Sequence, residues 1–234
     1  MLCPHRRLRR RSIRSALRAP VRALAACLLI CAAANAGAEG EAAASLGCRL
    51  GWAVIHKHGD EAPRPIDYER RVVRLQSGDR IRLQLRPLSS CHLYVYLYDS
   101  QKRLYLLFPQ GSPSRAGPCP GARTFALPGG DNWYRLDEHG GVELFYLIVS
   151  EHRQQALEAA TEELLRADPA SALRARRVLE EIKRLIREGS RLAGAQEKPI
   201  AVAGDFRGVG EDGEFPGRMI EARGVYVRTF RLQH

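Results

Sequence analysis

What this chain of 234 residues lacks narrows it first. It has no run of the roughly 20 apolar residues that a membrane-spanning helix needs; the longest candidate, residues 23–34, breaks at Asn35-Ala36-Gly37. It has no Gly-x-Ser-x-Gly and no cysteine placed with a histidine in a local signature, so the common nucleophile motifs are missing. The glycine-rich stretch 204–210 lacks the Lys-Ser/Thr of a phosphate loop and precedes no helical pattern, so it reads as a plain loop. There is no internal repeat. Acidic residues are absent from the first 38 positions, where Arg6, Arg7, Arg9, Arg10, Arg11, Arg14, Arg18 and Arg22 lie.

That basic stretch, the short apolar stretch 23–34 and the small-residue site Ala36-Gly37-Ala38 together predict a signal peptide over residues 1–38, cleaved after Ala36 or Ala38. Leu24-Ala25-Ala26-Cys27 is a poor lipoprotein box, because arginines precede it and the apolar residues follow it. Arg10-Arg11 leaves Sec and twin-arginine export both open. The expectation is a periplasmic or secreted protein with no stable membrane insertion after cleavage. Removing eight arginines from the formal charge of +11 leaves about +3, an ordinary surface, so no nucleic-acid partner is expected. Residues 39–234 are enough for a single domain with its own core. Cys48, Cys91 and Cys119 remain in that part; two of the three can pair in an oxidising compartment, with no basis for choosing which. Their spacing is too wide for a structural zinc site. Cys119, between two prolines, looks the most exposed.

The organising stretch is 91–109. Leu93, Val95 and Leu97 alternate with His92, Tyr94, Tyr96 and Tyr98; after the turn Asp99-Ser100-Gln101-Lys102, Leu104, Leu106 and Phe108 alternate with Tyr105 and Leu107, up to Pro109. Strands are also predicted over 48–56, 68–75, 80–86, 123–127, 133–136 and 143–150, with a long irregular loop over 110–122. In 80–86 Ile81, Leu83 and Leu85 face in, while Arg80, Arg82, Gln84 and Arg86 form a wet face. The period then changes to that of helices. Leu157, Ala160 and Leu164 mark one; Asp168-Pro169 caps a second, with Leu173, Val178, Ile182, Leu185 and Ile186 as its stripe and Gly189 as its stop. A strand over 199–203, a loop over 204–217 and a last strand over 218–231 return to the sheet. The fold class is mainly β: an antiparallel β-sandwich with an inserted two-helix hairpin at about 151–189 and C-terminal strands rejoining the sheet.

Gly78-Asp79, Leu93-Tyr94-Val95-Tyr96-Leu97-Tyr98-Asp99, Leu107-Phe108-Pro109, Phe125-Ala126-Leu127-Pro128 and the apolar stretch 143–150, in that order, resemble a bacterial domain of unknown function, family 4384, over about residues 77–150. Where the family's turn usually holds a glycine, this chain has Gln101-Lys102, and Gln110 stands where a polar residue, often Asn, follows the Leu-Phe-Pro. The family occurs in exported proteins and beside peptidase-like or kinase domains, which implies an accessory or sensing role. It supplies no active site to carry over.

The remaining constellations have plainer readings. His56, His58 and Asp60 could hold a metal ion, against the simpler view of a solvated strand end. Tyr94, Tyr96 and Tyr98, with Trp133 and Tyr134, could form a binding surface, against the view that the helices cover the tyrosine row. Asp131, Asp137 and Glu138 read as solvated loop charge. No catalytic residue, cofactor or metal is assigned. The functional expectation is an exported, non-enzymatic binding module that engages a protein partner of the cell envelope through sheet edges or the 110–122 loop. The alternatives are a secreted metal-assisted hydrolase and a carbohydrate-binding module.

Overall fold

Alternating apolar residues, one inward at every second position, make each long strand of this chain a wall of the same core. The computed structural model describes residues 47–166, 171–191, 195–203 and 214–234. Its elements in chain order are β1 (Cys48–Lys57), β2 (Arg64–Pro65), β3 (Val73–Arg74), β4 (Arg80–Pro87), β5 (His92–Tyr98), β6 (Leu104–Phe108), β7 (Phe125–Leu127), β8 (Tyr134–Arg135), β9 (Val142–Ser150), α1 (Gln155–Leu165), α2 (Ala172–Arg191), β10 (Gln196–Ala203), β11 (Glu214–Ala222) and β12 (Val225–Gln233). One sheet, here sheet A, runs β10-β11-β1-β4-β7, with β2 added to β1 and β8 to β4. The other, sheet B, runs β3-β12-β9-β5-β6. All the pairings are antiparallel except the short one between β3 and β12.

The sheets close on a shared apolar layer that includes Leu50, Trp52, Val54, Leu83 and Leu85 from sheet A and Leu93, Val95, Phe145, Leu147 and Phe230 from sheet B. At its centre the Trp52 and Phe230 rings stack at 5.6 Å and the Phe230 and Phe145 rings at 4.8 Å, which ties one sheet to the other. A second apolar layer lies on the far side of sheet B. There α1 and α2 bury Leu157, Leu164, Ala175, Val178, Ile182 and Leu185 against Tyr94, Tyr96, Tyr146, Ile148 and Val225. The inserted helical hairpin therefore covers one outer face of a β-sandwich, as the change of period at Ser150 predicts.

Several boundaries differ from the sequence expectation, each for a local reason. The strand expected over 68–75 shrinks to the two residues of β3, because Tyr68 turns inward instead: its hydroxyl accepts a hydrogen bond from Val54 N at 2.8 Å and its ring meets Trp52 edge-on at 5.2 Å. Burial pushes that phenol up to about 12. A bulge in the β5–β6 pairing brings Phe108 opposite Val95 while Leu106 opposes Tyr96, so Phe108 joins the inter-sheet layer rather than the face of Leu104 and Leu106. The expected last strand over 218–231 is two strands divided between the sheets: β11 lies against β1 in sheet A and, after a turn at Arg223-Gly224, β12 lies against β9 in sheet B. Leu173 is 67% exposed, outside the buried stripe of α2. Gly189 is no stop, since α2 continues to Arg191. A Cβ at Gly189 would lie 2.7 Å from the Val225 carbonyl oxygen, so glycine is what lets α2 press on β12. The expected Asp168-Pro169 cap, residues 204–213 of the expected loop and the expected signal peptide over residues 1–38 lie outside the described residues. Among the described residues no helix is long and apolar enough to cross a membrane.

Candidate binding cleft

The outward side of β4 is where expectation and structure part most usefully. Arg82 and Gln84 point away from the inter-sheet layer, as the alternation requires, yet they are only 4% and 1% exposed. The expected wet face is thus covered along its middle. The cover comes from β7 and β8, which both pair with β4, and from residues 128–133 between them, which leave the sheet opposite Arg82. The Arg82 guanidinium donates to the Gly130 carbonyl and lies 6.0 Å from the Trp133 ring, to which the Lys57 ammonium also comes within 4.9 Å. Gln84 sits in register between Ala53 on β1, which is fully buried, and Ala126 on β7, whose small side chain leaves space on that side.

That space is a cleft of about 620 Å³, within the range that holds small ligands or short chain segments. Arg82 and Gln84 line it together with Gln110, Arg123, Thr124 and Ala126, and the Gly129–Asp131 stretch of backbone adds to the wall. Phe108 and Phe125, in edge contact at 5.2 Å, give it an apolar side, and the Arg123 guanidinium lies 5.2 Å from the Phe125 ring. Arg82, Arg123 and Asp131 are the charged residues of this lining. Among the described residues the buried Oε1 of Gln84 has no hydrogen-bond partner. An unmet buried acceptor costs about 1–3 kcal/mol. Beside the cleft, β7 pairs with β4 along one edge only and ends sheet A.

The long loop 110–122 is tied down rather than free. Ser112 and Ser114 donate to Glu162 of α1, which holds that carboxyl below its ordinary value; the Arg153 guanidinium donates to the Ser114 carbonyl; Ala122 N donates to Pro87 O at 2.8 Å. Within the loop, Cys119 forms an antiparallel bridge with Cys91, so the thiol that looks most exposed in sequence is buried. Cys48, Cys91 and Cys119 are all buried free thiols in one apolar cluster, and burial pushes the Cys119 thiol up to about 11.

The other sequence candidates are placed as follows. Tyr94 and Tyr96 are buried beneath α1 and Tyr98 packs against the same layer, so the tyrosine row is no accessible binding surface. The Tyr94 hydroxyl donates to Glu158 at 2.6 Å and the Tyr96 hydroxyl pairs with Thr161 at 2.7 Å. Burial raises both phenols; the bond to Glu158 adds to the rise at Tyr94, while the bond to Thr161 works against it at Tyr96. Trp133 is half-buried between its cations, and Tyr134 packs against the inter-sheet layer. His58 is taken up by Asp79, Nδ1 to Oδ1 at 2.6 Å, while desolvation lowers His56 and Asp60 stays exposed. Among the described residues no group of three His, Cys, Asp or Glu side chains is arranged to hold a metal ion. Of the loop acids, Asp131 reaches the cleft, and Asp137 accepts a bond from His139 N at 2.9 Å. Arg82 and Gln84 face outward as alternation has it, but they are buried where the sequence reading has them solvated. The available signal was the pair of short strands broken by Pro128-Gly129-Gly130, which leaves a wall of backbone beside them.

No curated protein and no solved structure matches the chain significantly. Residues 74–153, about a third of the chain, which hold β4 to β9 and every residue lining the cleft, match the model of the family described as Domain of unknown function (DUF4384).

Proposed function

We propose that the protein is an exported accessory module that binds a segment of another envelope protein in the cleft above β4 and carries out no catalysis of its own. The observation that carries this reading is the cleft itself, about 620 Å³ in volume, with the exposed Arg123 on its rim and the Phe108–Phe125 pair on its apolar side. The free edge of β7 adds backbone groups that an extended segment can pair with. A metal-assisted hydrolase has less support, because His58 is paired with Asp79 and does not join His56 and Asp60 in a ligand set.

The test is a photo-crosslinking amino acid placed at the exposed Thr124 on the cleft rim, with a control at the exposed Arg187 on α2, in the protein expressed in its own cells. A discrete adduct from position 124 and none from 187 is the expected result. Equal adducts from both positions, or turnover of a substrate by the purified protein, would refute the reading. N-terminal sequencing of the mature protein tests export: a first residue of Gly37 or Glu39 is expected, and an intact arginine-rich leader would rule it out.

A further inference from the structure

We infer that Cys48 and Cys91 are the two thiols that an oxidising compartment joins, which gives a disulfide between the two sheets and leaves Cys119 unpaired. This rests on the reading of the protein as exported and is independent of what the cleft binds. Cys48 opens β1 of sheet A on the inward face it shares with Leu50 and Trp52, and Cys91 stands just before β5 of sheet B on the inward face of Leu93 and Val95. They meet where the chain passes from one sheet to the other. There Leu88 N donates to Arg49 O at 2.7 Å, while the Ser89 hydroxyl accepts from Arg49 N at 2.9 Å and donates to Gly47 O at 3.0 Å. Ser89 thus holds both neighbours of Cys48, two residues ahead of Cys91, and the two thiols are hydrogen-bonded to each other.

The rival pairs fit less well. Cys91 and Cys119 exchange both backbone hydrogen bonds, at 3.3 and 2.7 Å, which makes them a hydrogen-bonded antiparallel pair. The Cβ atoms of such a pair lie about 5.5 Å apart, whereas a disulfide needs about 3.5–4.5 Å. The Cys119 thiol is hydrogen-bonded to the backbone of Leu93 instead. Joining Cys48 to Cys91 breaks two S–H bonds and makes one S–S bond; the two electrons and two protons pass to an external disulfide, which leaves as two thiols by way of a mixed disulfide. The step belongs to folding, before the sandwich closes. Once it has closed, both sulfurs are buried, and the bond to Cys48, followed by burial, raises the Cys91 thiol and so removes the reactive thiolate. The loop that the bond closes holds β2, β3 and β4, so the cross-link constrains a long stretch of the unfolded chain.

The experiment takes the whole chain with Cys3→Ser, Cys27→Ser and Cys31→Ser, which leaves Cys48, Cys91 and Cys119. It is reduced in urea, refolded with oxidised glutathione, alkylated and mapped by mass spectrometry of tryptic peptides; cleavage after Arg49, Lys102 and Arg115 puts each cysteine in its own peptide. A linked Cys48–Cys91 peptide with Cys119 alkylated is the expected result. The melting temperature should lie about 5–15 °C above that of the same chain refolded in reductant, a difference that Cys119→Ala keeps and Cys48→Ala removes. Cys91–Cys119 or Cys48–Cys119 as the main linked peptide, or three alkylated thiols, overturns the pairing, and this map decides the matter even where Cys48→Ala does not fold. Protein recovered from the envelope of its own cells should carry the same linked peptide; a pair that forms on refolding while the cellular protein stays reduced would refute export and leave the pairing standing.

Discussion

On the outer face of sheet B, Tyr94 donates to Glu158, Arg153 closes on the same carboxylate at 2.5 Å, and Tyr96 pairs with Thr161, which in turn donates to Leu157 O at 2.7 Å. On the outer face of sheet A, Gln84 is as deeply buried as Tyr94 and its acceptor is unmet. Both faces put polar groups where an antiparallel sheet would normally meet water. The difference is in what covers them. A helical hairpin brings its own complementary groups, so the polar contacts under α1 position the helix and are finished when the chain is folded. The short arm of residues 128–133 brings mainly backbone and one aromatic ring, and leaves an open volume. Satisfaction of the buried groups, rather than their polarity, separates the two faces.

The comparison can be broken in order of size. Glu158→Ala should cost the most, about 2–4 kcal/mol, because it strands the Tyr94 hydroxyl beneath the helix and frees Arg153; urea unfolding measures it, and a loss below 0.5 kcal/mol, in order-of-magnitude terms, would mean the seam is decorative. Gly189→Ala should cost about 1–3 kcal/mol, since the new Cβ meets the Val225 carbonyl and backbone must move. Tyr96→Phe and Gln84→Leu form a matched pair. The first, removing a satisfied hydroxyl and leaving Thr161 with one partner fewer, should lose about 1 kcal/mol; the second should lose none. The same sign for both would erase the distinction drawn above. At the turn before β6, Lys102 holds a left-handed φ of +63°, so Lys102→Gly should stabilise by about 0.5–1 kcal/mol without touching either face.

The smallest effect is the response to acid. Desolvation lowers His56 and His92 from the ordinary histidine value, outweighing the pull of Asp79 and Glu61 on the first and of Glu158 on the second; Arg64 beside His56, and Arg153 and His152 beside His92, push the same way as burial. A lowered folded value means that the unfolded chain binds the proton first. Their contribution is complete above about pH 6.5 and is lost as pH falls through the folded values. The urea midpoint should therefore drop between pH 7 and 5.5, and His92→Gln should flatten part of that slope. A midpoint that rises on acidification would show that neither histidine is kept neutral by the fold.

Much of the architecture could be read from alternation alone: β1, β4, the β5–β6 pair and β9 lie within a residue or two of their expected bounds, and the helices begin where the period changes. Alternation fails where tertiary cover decides. It assigns Arg82 and Gln84 correctly to the outward face but cannot say whether that face is wet, because their cover is contributed by residues about 40 or more positions later in the chain. It treats Gly189 as a helix stop because the clash that demands glycine is with Val225, on another element. It merges β11 and β12 because a two-residue turn leaves little trace in a continuous β pattern. The tyrosine row was legible as a face but not as a seam, since its partners Glu158 and Thr161 look like solvent positions on a helix until the helix is laid down.

The division of the last two strands between the sheets sets a condition on how this chain can be made. β11 lies between β10 and β1, and β12 lies between β3 and β9, so each sheet has an interior lane reserved for the final stretch of the described chain. The segment matching the family model ends before both of them and lacks β1 as well. During synthesis from the N-terminus, β1 and β9 would wait with open edges until these lanes are filled, a period in which other strands can pair with them. A chain cut after Ala222 would then be a protein with half a wall missing from sheet B, held for quality control or aggregation rather than released as a smaller working domain.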